Sequence, residues 1–308
     1  MDNHEYPSDS ENDIHRPYKR ARRTPSPSRS NGHPSRSSLP PLSLSILGVE
    51  PFDEFIIEIA DFIHHMIKTR PDGPGRVEVE AKVGVLREKG SGQRLSLPVL
   101  VETILEPDSF EYRFESNMSA MQHKHFNQLL NNLKTNQPGH AGSPLQYAHL
   151  RLVDTFYPSD NRDKVRVTRD ETTSEVKECM KKIRLGSLDI YCPKRNADWR
   201  ISVNLEVPVP PPIGSSTHTR RKDRMSYTHE EFVIDLTQVT ASSGGNAKTE
   251  ILHELELELA RPDYVLYAAS KRDDPAADEL EQSAFNELIR AFVNNARILV
   301  KNATGNWQ

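Results

Sequence analysis

Val77-Glu78-Val79-Glu80-Ala81-Lys82-Val83 alternates strictly, with Glu, Glu and Lys on one side and Val, Val, Ala and Val on the other. Far downstream, His253-Glu254-Leu255-Glu256-Leu257-Glu258-Leu259 repeats the pattern with three carboxylates on one side. A period of two is the mark of a β-strand, whose successive side chains point to opposite faces. Two half-buried strands with their polar sides in water would satisfy the alternation. Three features weigh against that reading. Glutamate is a poor strand former, and same-face neighbours about 7 Å apart repel when their charges match. Other segments of the same period carry basic faces: Lys164 and Arg166; Lys182 and Arg184; Arg220, Lys222 and Arg224. The chain also supplies amphipathic helices, which need an apolar surface to cover.

An inverted barrel meets all three, with charged side chains inside and apolar ones outside beneath the helices. The expected class is therefore α+β and β-dominated, a closed antiparallel barrel with a charged interior flanked by amphipathic helices. An interior lined by so many carboxylates and cations is too costly to keep dry and empty. It implies a wet tunnel built around a polyanion and a metal ion. Clustered Glu oxygens are hard ligands suited to Mg²⁺ or Mn²⁺, and no Cys/His set exists for zinc. Arg and Lys across the tunnel would hold phosphate oxygens. Metal and cations together neutralise charge as a phosphoryl group departs, the main requirement of phosphoryl transfer.

Outward from these segments, alternation predicts strands at Val77–Leu86, Lys164–Thr168, Lys182–Ile190, Arg200–Val207, Arg220–Tyr227, Glu231–Thr237 and Leu252–Leu259. Pro/Gly/Asp-rich joints such as 208–214 and 242–246 separate several of them. Three helices are predicted from three-to-four spacing. One follows Pro51, with Phe52, Phe55, Ile56, Ile59, Ile63, Met66 and Ile67 as its face. A second runs from about Asn117 to Lys134 on Met118, Met121, Phe126, Leu129, Leu130 and Leu133. The third runs from about Pro275 to Asn302 on Leu280, Ala284, Leu288, Phe292 and Leu299, with Pro275 in its first turn. His64-His65 read as helix packing or solvent-exposed residues, and His123 and His125 lie on different sides of their helix.

The chain has 308 residues, 40 basic and 44 acidic, for a net charge of -4. The distribution is uneven, because residues 14–45 carry seven Arg/Lys and no acid, whereas residues 46–308 carry 33 basic against 39 acidic residues. Residues 1–45, with ten serines and seven prolines, read as a disordered tail, leaving residues 46–308 as one catalytic domain. Lys19-Arg20-Ala21-Arg22-Arg23 is a candidate nuclear-import signal, followed by the Ser/Thr-Pro pairs at Thr24 and Ser26; a solvated basic arm is the plainer reading. Two cysteines, Cys179 and Cys192, exclude a disulfide scaffold and suit a reducing compartment. No apolar run approaches the ~20 residues that span a bilayer, and the polar start is not a signal peptide, so no membrane partner is expected. No Walker A loop, dinucleotide fingerprint or nucleophile-base-acid order is present.

Glu78-x-Glu80-x-Lys82 together with Glu254-x-Glu256-x-Glu258 resembles the paired glutamate strands of the triphosphate tunnel metalloenzymes. Lys182-Ile-Arg184, Arg200-Ile-Ser-Val-Asn-Leu-Glu206 and Arg220-Arg-Lys222-Asp-Arg224-Met-Ser-Tyr227 narrow the resemblance to the fungal RNA 5′-triphosphatases, the beta subunit of the mRNA-capping enzyme, over roughly residues 50–270. The resemblance implies an eight-stranded tunnel that removes the γ-phosphate from the 5′-triphosphate end of nascent RNA by metal-assisted attack of water. By motif position, Glu78, Glu80 and Glu258 match the family's metal ligands. Arg166, Lys222 and Arg224 match its phosphate-contacting cations, with Lys182 and Arg220 as further tunnel charges. Glu206 matches the glutamate that orients or activates water. Glu254 and Glu256 match supporting acids, and Asp235 and Thr237 fall on the strand that adds an acid and a hydroxyl. Val233 stands where the family pattern has a basic residue. Lys82 and Arg184 have a plainer role beside the functional one, balancing neighbouring carboxylates. The resemblance also implies a nuclear homodimer that acts on triphosphate-ended RNA and meets mRNA guanylyltransferase or the RNA polymerase II machinery. No Trp-bearing peptide of the kind by which some yeast members dock the guanylyltransferase occurs in the tail, since the tryptophans are Trp199 and Trp307. Two alternatives keep parts of this reading: a tunnel enzyme for inorganic tripolyphosphate or nucleoside triphosphates, and a non-catalytic nuclear adaptor.

Overall fold

A computed structural model of the chain describes residues 42–48, 53–107, 109–135, 144–159, 164–243, 249–305 and 307. The basic cluster at Lys19–Arg23 lies outside them. The chain divides into two units, Met1–Glu50 and Pro51–Gln308, and every helix and strand among the described residues belongs to the second. In chain order these are α1 (Glu54–Lys68), β1 (Arg76–Glu88), β2 (Thr103–Leu105), β3 (Tyr112–Glu115), α2 (Ala120–Thr135), β4 (Gln146–Pro158), β5 (Lys164–Asp170), β6 (Val176–Tyr191), β7 (Asp198–Pro208), β8 (His218–His229), β9 (Phe232–Ser243), β10 (Glu250–Leu259), α3 (Pro262–Lys271) and α4 (Glu279–Lys301).

Eight strands pair antiparallel in the order β10-β9-β8-β4-β5-β6-β7-β1. The circle closes where β1 meets β10, with Glu80 opposite Glu258 and Lys82 opposite Glu256. Closure leaves no free edge in the barrel. β3 pairs with β1 beyond the barrel, and β2 with β6. Gly84 permits the first of these, because a Cβ there would sit 2.3 Å from the Glu115 carbonyl oxygen.

The barrel is inverted, as the alternation requires. Val77, Val79, Ala81 and Val83 of β1, Ile201, Val203 and Leu205 of β7, and Leu255 and Leu257 of β10 point outward into one apolar core. The helices supply its other half through Ile59 and Ile63 of α1 and Phe285, Ile289, Phe292 and Val293 of α4. Each of these large side chains contributes about 1.5–3 kcal/mol on burial. Asp53 caps α1 by accepting from the Phe55 and Ile56 amides, and Asp278 and Glu281 form a capping box on α4. His64 joins α1 to α3 through a 2.9 Å hydrogen bond between its Nε2 and the Ala269 carbonyl, which agrees with packing rather than metal binding.

Several expectations need correction. β4 was not anticipated, because its sequence carries apolar residues on both faces: Leu150, Leu152 and Phe156 on one, Tyr147, Val153 and Tyr157 on the other. β2, β3 and α3 were also missed; the two strands are short, and α3 follows β10 after only two residues. α2 begins at Ala120, not Asn117, and Met121 (83% exposed) and Leu133 face solvent while Gln122 is buried. Pro275 lies before the Asp278 cap and outside α4, and Leu280 is 79% exposed. The first-turn proline belongs to α3, at Pro262.

His123 of α2 packs against His253 of β10, their ring centroids 4.8 Å apart. Burial, then the neighbouring His253, lowers the His123 pKa from 6.5 to about 4. An unfolded chain takes up a proton at this histidine below about pH 6.5 that the folded chain refuses until about pH 4. Stability therefore falls as pH drops through that window and is unaffected above it. Urea unfolding of the parent is expected to weaken between about pH 7 and pH 5, and His123→Phe to weaken less. An equal loss in the two proteins would contradict the assignment.

Candidate active site

Alternation places one face of each barrel strand inside. Glu78, Glu80, Lys82, Arg166, Lys182, Glu206, Arg220, Lys222, Arg224, Glu254, Glu256 and Glu258 all line one cavity of about 660 Å³. Asp235 lies on the inward face of β9 as the register partner of Glu256, 3% exposed and 2.5 Å from Arg224. Every candidate residue named from the sequence is thus in or against the tunnel.

Glu78, Glu80 and Glu258 form the first cluster. Each offers a carboxylate oxygen within 4.8 Å of the others, and Asp235, Glu256 and Glu258 make a second such group. Asn204 of β7 donates to Glu78 Oε2 at 2.8 Å and to Glu80 Oε1 at 3.2 Å. Lys182 Nζ lies 2.5 Å from Glu78 and 3.5 Å from Glu80. Lys82 bridges Glu80 and Glu256, the balancing role that its position allowed.

Cations and their holders make up the rest of the lining. Arg224 reaches Asp235, Glu256 at 3.2 Å and the Thr237 hydroxyl at 3.0 Å. Arg166 and Arg76 both contact the Glu206 carboxylate, at 3.3 and 2.8 Å, and both contact Glu178. Arg220 lies 3.5 Å from Glu254. Lys222 Nζ lies 2.5 Å from Asp154 of β4, a fully buried carboxylate that also accepts from the Thr168 hydroxyl at 2.7 Å. Sequence reasoning missed Asp154, Asn204 and Arg76. Arg76 was within reach, because it continues the even-numbered face of β1. Asp154 was hidden with its strand, and Asn204 is a neutral amide that no charge pattern singles out.

The electrostatics divide the carboxylates into two kinds. Burial would raise Glu256, but Lys82 and Arg224 outweigh it and hold its pKa below the ordinary range. Burial likewise opposes Asp154, and Lys222 again wins. Glu258 is the contrary case. Burial first, then the Glu78, Glu256 and Asp235 carboxylates, push its pKa up to about 8. Among the described residues it has no ion pair or hydrogen bond, whereas each other tunnel carboxylate has at least one. Glu80 is also raised by burial. Hard oxygen donors crowded together, one of them without a direct ion-pair partner among the described residues, fit a divalent cation of the Mg²⁺ or Mn²⁺ type. The surrounding guanidinium and ammonium groups fit a compact polyanion.

Two consequences can be measured. Asp154→Ala leaves Lys222 buried beside Arg166 and Arg224 without its partner, and is expected to cost about 3–5 kcal/mol of stability in urea. Part of that loss should return in the Asp154→Leu/Lys222→Met double variant; no loss in the single variant would contradict the pairing. Glu258→Gln removes a carboxyl whose ionisation the folded site opposes, so in chelator-treated protein near pH 7 it should melt above the parent. A Tm equal to or below the parent's would contradict that cost.

The comparisons with known proteins agree with this geometry. Residues 49–305 match the family model described as mRNA capping enzyme, beta chain. The mRNA-capping enzyme subunit beta of Schizosaccharomyces pombe is 35% identical over 267 residues, covering 85% of this chain and 86% of that protein. A solved structure of the S. pombe Pct1 RNA triphosphatase superposes with a TM-score of 0.77 at 34% identity, covering 87% of this chain and all of the other. A second, in complex with the Spt5 CTD, gives 0.76 at 33% identity and covers 86% of this chain and all of the other. The inverted, charge-lined barrel and the extent of this similarity lead to one conclusion: the chain belongs to the mRNA capping enzyme beta chain family.

Proposed function

We propose that this protein is an RNA 5′-triphosphatase that removes the γ-phosphate from the triphosphate end of nascent RNA, the first step of cap formation. The observation that supports it best is a crowded carboxylate cluster, one member of which, Glu258, has no direct partner among the described residues, facing half-buried cations inside one tunnel. One relative is named as a capping enzyme subunit and a solved neighbour as an RNA triphosphatase, which supports the same reading.

In this reading Glu78, Glu80 and Glu258 hold the divalent cation, Mg²⁺ or Mn²⁺. When bound, that ion supplies charge neutralisation on the phosphoryl oxygens. Arg166, Lys222 and Arg224 grip the terminal phosphate, and Lys182 and Arg220 the oxygens behind it. Their own carboxylate partners keep them aimed, so little reorganisation is needed as charge develops. Burial, with Arg224 and Arg166 close by, holds the Lys222 pKa below that of an ordinary lysine even against Asp154, and a phosphate oxygen relieves that strain. Glu206, fixed between Arg76 and Arg166, accepts a hydrogen bond from the attacking water and orients it. Lys82, Asp235, Glu254 and Glu256 keep ligands and cations in register.

Family membership also supports homodimer assembly, and together with the basic cluster at Lys19–Arg23 it supports nuclear residence. The neighbour solved with the Spt5 CTD supports a contact with the transcription machinery. No helix among the described residues is long and apolar enough to cross a membrane.

The direct assay follows release of labelled phosphate from γ-labelled, triphosphate-ended RNA with and without Mg²⁺. Glu78→Ala, Glu80→Ala and Glu258→Ala are each expected to fall below about one-hundredth of the parent rate while keeping its circular dichroism spectrum. Parent-like turnover in any of the three, or full activity in chelator, would overturn the reading.

A further inference from the structure

Phe156 of β4 and His218 of β8 are register partners, and their rings stack with centroids 4.3 Å apart and planes 3° from parallel. Both belong to the faces that carry Asp154 and Lys222 into the tunnel, two and four residues along. They also lie at strand ends: His218 opens β8, and β4 stops at Pro158. The stack therefore forms part of the rim.

Local hydrogen bonds hold it flat. The Thr217 amide donates to the Phe156 carbonyl at 2.8 Å, and the Thr217 hydroxyl donates to the same oxygen at 3.1 Å. With its one proton so used, that hydroxyl accepts from His218 Nδ1–H at 2.9 Å, which fixes both tautomer and ring plane. Burial, followed by the charges of Lys164 and Arg220, lowers the His218 pKa, so the imidazole is a neutral flat surface at physiological pH. Both rings are only partly covered.

The charges around this rim differ from those deeper in. Lys164 and Arg184 line the same cavity, yet among the described residues neither makes an ion pair, whereas Lys182, Lys222, Arg166 and Arg224 all do. The other tunnel end carries Arg76 already held by Glu206 and Glu178, with Val233 and Pro262 beside it. Free cations beside a flat ring pair are the combination that holds single-stranded nucleic acid, because every base has a π-face and every linkage an anion.

Building on the proposed triphosphatase activity, we infer that the Phe156–His218 stack is the platform on which the first bases of the RNA rest, with Lys164 and Arg184 meeting the phosphodiester that follows the triphosphate. These residues set the preference for RNA over inorganic tripolyphosphate. The latter is held by the deeper cations and has no base to stack.

The test measures kcat and KM, with Mg²⁺, for a triphosphate-ended RNA oligonucleotide and for inorganic tripolyphosphate. Phe156→Leu keeps apolar volume but loses the flat ring; Phe156→Tyr keeps it. Loss of one stacking contact should raise the KM for RNA about five-fold or more in Phe156→Leu, leave RNA kcat within about two-fold, and spare tripolyphosphate kcat/KM. Phe156→Tyr should recover the parent KM. If Phe156→Leu changes both substrates in the same proportion, or changes neither, the platform is refuted. Parent protein that hydrolyses tripolyphosphate and not RNA would instead refute the triphosphatase reading itself.

Discussion

Charge compensation across a closed, charge-lined barrel is the constraint on which the rest of this structure depends. Each buried ion costs several kcal/mol unless a partner stands within hydrogen-bonding reach. Here the partners stand on different strands: Lys82 of β1 with Glu256 of β10, Lys182 of β6 with Glu78 of β1, Lys222 of β8 with Asp154 of β4, Arg166 of β5 with Glu206 of β7. The ion pairs thus tie the barrel wall together from inside. The apolar half of each strand is left free to face outward, where α1 and α4 cover it.

The compensation is deliberately incomplete at one place. Glu258 faces Glu80 directly across the β1–β10 seam, and among the described residues no cation pairs with it directly, Arg224 acting on it only from a distance. A carboxylate in that position weakens the empty protein, and natural sequences keep such groups where function needs them. Closing the barrel brings the two glutamate strands together, and the same closure assembles the carboxylate cluster proposed to hold a divalent cation. Fold and chemistry are joined at a single strand pair.

The two glutamate strands and the basic faces of β5, β6 and β8 were legible because strict alternation of charged and apolar residues leaves little room for another reading. The same rule failed at β4, where Leu152 and Phe156 bring apolar groups inside and blur the period. With β4 went Asp154, the partner that aims Lys222. Asn204 carries no charge to mark it, although it ties Glu78 to Glu80. The Phe156–His218 stack depends on pairing between strands far apart in the chain, and no local pattern announces it. Helix positions were readable where apolar spacing was regular, as in α1. They slipped where caps decide the start: Asp278, and not Pro275, begins α4.

The central claim is that the acidic and basic faces converge on one metal ion within the tunnel. Anomalous scattering from crystals soaked in Mn²⁺ tests it most directly. A single strong peak about 2 Å from carboxylate oxygens of Glu78, Glu80 and Glu258 is the predicted result. Manganese found only on the outer surface, with the three glutamates still unliganded at saturating ion, would contradict the account.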